Sequence, residues 1–146
     1  MNTKYIIILC FGVILSYFML NSSNIKVKNY NYDVTIYRDN WGVPHIYGKK
    51  DIDTAFGLAY AHSEDDFETL QDVLLALRGK LASVKGKESA PVDYLVGMLK
   101  VWEIVDKRYD SDLSREVKDL CSAYADGVNL YMEKHPDKIV GDLYPV

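Results

Sequence analysis

The sequence is poor in the residues that carry most site chemistry. It has two cysteines, Cys10 and Cys121, and three histidines, His45, His62 and His135. Cys10 lies in the apolar N-terminal run described below. A chain without that run keeps Cys121 alone, which excludes an internal disulfide. Positive charge is short as well: 17 Lys and Arg against 21 Asp and Glu give a formal net charge of −4. No basic surface for nucleic acid or an anionic membrane is implied. Lys26 with Lys28, and Lys49 with Lys50, are only weak basic spots. None of the nine glycines is followed by Ser, Thr or Cys. There is no Gly-x-Ser-x-Gly elbow and no Gly-rich phosphate loop, which removes two common routes to hydrolase and nucleotide chemistry.

What the chain does have is one long apolar run. Lys4 is the only charge before Tyr5–Leu20, and Asn21, Ser22, Ser23 and Asn24 follow it abruptly. A basic start, an apolar stretch and small polar residues predict a secretory signal peptide over residues 1–23. The run is about 16 residues, against the roughly 20 of a spanning helix. The alternatives are an uncleaved N-terminal anchor, in which case the only membrane contact is through residues 1–23, and a buried core helix. No Cys closely follows the run, which argues against lipid attachment. The expected location is exported, periplasmic or extracellular. Residues 24–146 then form one small domain.

Within that domain, Tyr32–Tyr37 alternates with a strand period. Arg38-Asp39-Asn40-Trp41-Gly42 reads as a turn closed by a glycine at positive φ. Val43–Tyr47 is the return strand, an edge because Pro44 lacks an N–H, and Gly48 ends it. A capped helix over Asp51–Tyr60 starts at Asp51 or Asp53, and Gly57 lets another element come close. A second helical stretch from about Glu64 carries Phe67, Leu70, Leu74, Leu77 and Leu81 at helical steps. Gly79 interrupts it and Gly86 terminates it. Val92–Val105 is helix-like, Asp110–Leu113 is a break, and Ser114 caps a last helix. That helix has Val117, Leu120, Cys121, Tyr124, Val128 and Met132 on one face and ends at His135-Pro136. Cys121 on this face predicts a buried, inert thiol rather than a reactive one. The fold class is α+β: an N-terminal β-hairpin followed by three or four helices. A lone hairpin buries little, so this pattern expects more chain or another chain. The uncovered apolar stripes predict poor solubility for the chain alone.

The densest polar cluster is His62-Ser63-Glu64-Asp65-Asp66. His62, Glu64 and Asp66 can be read as metal ligands, but their spacing matches neither a zinc pattern nor a calcium loop. The competing reading is acidic residues at a helix start with a solvated face. His135 at a helix end is read as a dipole partner, and His45 as packed or locally hydrogen-bonded. The residues alone assign no catalytic, cofactor-binding or metal site.

Four ordered stretches carry a resemblance. They are Val34–Ile46, which contains Arg38-Asp39-x-x-Gly42-x-Pro44-His45-Ile46; Ala55–Asp65; Arg78–Gly86; and Tyr124-Ala-Asp-Gly-Val-Asn-Leu-Tyr131. Together they resemble the start of penicillin-acylase-type amidases, which are N-terminal-nucleophile hydrolases. The form of Glu64-Asp65 leans towards the branch with acyl-homoserine-lactone and cyclic-lipopeptide acylases. Asp66 stands where such enzymes usually carry Arg, and Ser83 where Glu is common, which puts a structural ion pair of the family in doubt.

The resemblance implies an exported precursor cut into a small α and a larger β subunit. An N-terminal Ser of the β subunit, with its own α-amine as base, would cleave a linear acyl-amide bond. The chain would be a partial α-subunit region of an αββα sandwich, and its partner the β-subunit region of the same precursor. A small acyl amide would be the substrate of the complete enzyme, and structural calcium its metal. The nucleophile, calcium ligand and acyl pocket are expected outside this sequence, so none is assigned to a residue here. The alternative is an exported or membrane-tethered non-catalytic remnant or binding module.

Overall fold

The computed structural model describes residues 30–141. The signal or anchor reading of residues 1–23 lies outside the described residues. Among the described residues, no helix is long and apolar enough to cross a membrane.

Two strands, β1 (Val34–Arg38) and β2 (Pro44–Gly48), pair antiparallel, with Ile36 opposite Ile46 and Tyr37 opposite His45. The turn closes through Gly42 N–H donating to Asp39 O (3.0 Å) and Asp39 N–H donating to Val43 O (3.2 Å). Gly42 has φ 82°, the positive φ predicted for this turn and free of strain only at glycine. Alternation puts Val34, Ile36, Pro44 and Ile46 on the covered face.

That face lies on α1 (Asp51–Leu77). Gly57 makes the approach possible, because a Cβ there would come within 2.5 Å of a Val34 methyl and 2.8 Å of an Ile46 methyl. On its other side α1 packs along α5 (Arg115–Lys134), the main helix pairing. The core sits between them, built from Ala59, Phe67, Leu70, Leu75, Val128, Tyr131 and Met132. Between α1 and α5 run α2 (Ala82–Lys85), α3 (Ala90–Met98) and α4 (Val101–Asp112), with a 3₁₀ turn at Lys87–Ser89. A second 3₁₀ turn, Pro136–Lys138, follows α5.

The α+β order is as the sequence predicts, and several boundaries differ. The two predicted helices over residues 51–81 form one kinked element, in which Asp66 alone is non-helical (φ −152°, ψ 65°). Its carboxylate accepts the Thr69 N–H at 3.2 Å, so Asp66 caps the second half from within. The helix start is governed by Asp53, which is 4% exposed. Its carboxylate reaches back to Lys50 N–H (3.0 Å) and across to Asp33 N–H (3.2 Å), joining helix and hairpin.

In the predicted stripe, Phe67 and Leu70 are buried but Leu77 is half exposed, and Leu75 is fully enclosed instead. The C-terminal half of α1 turns the Phe67, Gln71, Leu75 row inward because Gln71 grips the segment after α5. It donates to Lys138 O (3.1 Å) and accepts from Val140 N–H (2.8 Å).

Val92–Val105 is not one helix. Lys100 adopts left-handed geometry (φ 52°, ψ 42°) and separates α3 from α4. The predicted break at Asp110–Leu113 shrinks to Leu113. Asp110 and Asp112 stay helical, held by Lys118 to Asp110 (3.1 Å) and Arg108 to Asp112 (2.6 Å). Ser114 caps α5 as predicted, its hydroxyl accepting the Val117 N–H at 3.3 Å.

Cys121 is exposed, not buried. The covered face of α5 is Ala123, Gly127, Val128, Tyr131 and Met132, so burial on α5 begins only at Ala123, beyond Cys121. The predicted apolar face therefore continues past its cover.

Candidate functional site

The hairpin motif divides its polar work between two neighbours. The Arg38 guanidinium donates to Gly42 O (2.9 Å) and reaches Glu64 (3.1 Å) and Asp65 (2.8 Å) on α1. Glu64, with Asp65, holds the guanidinium pKa above its ordinary value. Asp39 works within the turn. One oxygen accepts the N–H groups of Trp41 (2.9 Å) and Val43 (3.0 Å), and the other lies 3.2 Å from His45 Nε2. His45 first, then these backbone donors, holds the Asp39 carboxyl below the usual carboxylate range. The tip so fixed presents Trp41, which is 90% exposed.

The His62–Asp66 cluster is drawn apart. His62 Nδ1 lies 2.8 Å from the Tyr124 hydroxyl on α5, Glu64 and Asp65 take Arg38, and Asp66 takes Thr69. Hydrogen bonds from Thr69, side chain then backbone, hold the Asp66 carboxyl low. His62, Glu64 and Asp66 do not act on one point. Among the described residues no group of three or more His, Cys, Asp or Glu is placed to hold a metal ion. His135 ends α5 with its ring 4.4 Å from that of Tyr131.

An open concavity of about 570 Å³ lies between the second half of α1, α2 and the segment after α5. Its two lysines are both engaged. Lys85 pairs with Asp72 (2.9 Å) and Glu68 (3.3 Å), which raise its pKa, and Lys138 donates to the Tyr131 hydroxyl (2.9 Å). Ser83 donates to Lys80 O (2.7 Å) and is otherwise exposed.

Two residues that organise this region escape sequence reading. Asp93 accepts the N–H groups of Leu81 (2.8 Å) and Ala82 (2.9 Å), capping α2 from α3. Nothing in its local pattern signals this. Gln71 is buried in an otherwise apolar row. A polar residue at a core position was the available signal, since buried amides need partners.

The polar candidates thus join elements to one another, and large apolar side chains also stand on the surface. Hairpin, α3 and α4 expose Tyr37, Trp41, Tyr47, Tyr94, Met98 and Trp102.

Residues 33–146 match the Penicillin amidase family. The chain is 28% identical over 111 residues to penicillin acylase 2 proenzyme of Pseudomonas sp. (strain SE83), covering 76% of this chain and 14% of that protein. It is 30% identical over 117 residues to acyl-homoserine lactone acylase QuiP of Pseudomonas fluorescens, covering 80% of this chain and 14% of that protein. The fold resembles a thermostable penicillin G acylase from Alcaligenes faecalis, with a TM-score of 0.61 and 24% identity over 75% of this chain and 57% of that chain. The chain thus spans about one seventh of the length of these curated relatives. On the match over residues 33–146, the chain belongs to the penicillin amidase family.

Proposed function

We propose that this chain is the N-terminal, α-subunit part of an exported amidohydrolase that cleaves a linear acyl-amide bond. The observation that carries the reading is the family match over residues 33–146 in a chain that spans 14% of its relatives. The remaining region supplies the nucleophile, an N-terminal Ser whose hydroxyl attacks the amide carbonyl while its α-amine takes the proton. The amine product leaves, and water then releases the acyl group from the seryl ester. Donors of that region stabilise the tetrahedral oxyanion. This chain contributes structure: the latched hairpin, the α1–α5 pair and apolar surface for the partner. A structural calcium ion of the complete enzyme is held outside the described residues. Export is supported by the Tyr5–Leu20 run, with maturation following it.

The test is co-expression of this chain with the polypeptide encoded directly downstream, assayed on a panel of acyl amides. Release of the amine, abolished when the Ser of the partner is changed to Ala, is expected. A stable complex inert on the whole panel would overturn the enzymatic reading and favour a non-catalytic binding module.

A further inference from the structure

We draw no further inference here: the strongest candidate, the open concavity between the second half of α1, α2 and the segment after α5, is an acidic cluster whose carboxylates Asp66, Glu68 and Asp72 already bond Thr69 and Lys85, and nothing in the structure shows what covers it.

Discussion

Gly127 on α5 lies directly against the backbone of Phe56 on α1. A Cβ at 127 would overlap the Phe56 carbonyl oxygen and come within 2.8 Å of the Ala59 Cβ. Gly127→Ala is therefore expected to destabilise the chain by about 2–3 kcal/mol, because two backbones must separate. Urea denaturation checks this. A change under half a kcal/mol would show that the helices can part freely.

Asp53 is the joint between hairpin and helix, holding Lys50 and Asp33 N–H groups while itself buried. Asp53→Ala removes a helix-start partner and strands two donors, at a cost of about 2 kcal/mol. Amide hydrogen exchange should show β1 losing protection together with the first turn of α1. Loss confined to α1 would refute the joint.

Lys100 occupies the left-handed region between α3 and α4 (φ 52°). Glycine adopts that geometry without a Cβ penalty, so Lys100→Gly should stabilise the chain by about 1 kcal/mol. The exposed pair with Glu103 lost in the exchange (3.3 Å) contributes little. A lower unfolding midpoint in the variant would count against the strain.

Tyr30 and Tyr32 tie the entry to the hairpin onto α5, donating to Glu133 (2.9 Å) and Asp126 (2.8 Å). Burial first, then the carboxylate partner, raises both phenols, Tyr32 to about 12. A folded-state pKa above the unfolded value favours the protonated phenol in the native state. Their contribution is complete below the ordinary tyrosine range near pH 10 and is lost as pH rises towards 12. The urea midpoint should hold steady to about pH 9 and fall above it. Tyr30→Phe with Tyr32→Phe should flatten that fall, and an unchanged slope would disprove the linkage.

Cys121 is exposed on α5. In a Cys10→Ser background it should react with a thiol reagent in native buffer about as fast as in urea, since accessibility is not limiting. Protection by more than tenfold would restore the buried thiol that the apolar pattern predicts.

Much of this architecture was legible from local chemistry. The alternation around Asp39–Gly42, the Ser114 cap and the Pro136 stop each depend on neighbouring residues, and each appears as read. Gly57 was legible as a place of close approach, though not which element approaches. The family motifs were legible too, but their residues mostly join elements, as Arg38 does to Glu64 and Asp65.

By itself, then, the sequence determined the α+β order, the hairpin, the Ser114-capped last helix and the family, because turn, cap and periodicity signals act over a few residues; where the middle helices join or divide it did not. Only the tertiary structure decided which side of each element is covered. Asp53 and Gln71 are buried because partners 20 and 67 to 69 residues away supply their hydrogen bonds. Cys121 stays open because burial on α5 begins only at Ala123, and Trp102 and Ile104 stay half open because α4 buries no residue and is tied to α1 through the Trp102 indole. Burial depends on what lies opposite, and an apolar pattern names a face without naming its neighbour.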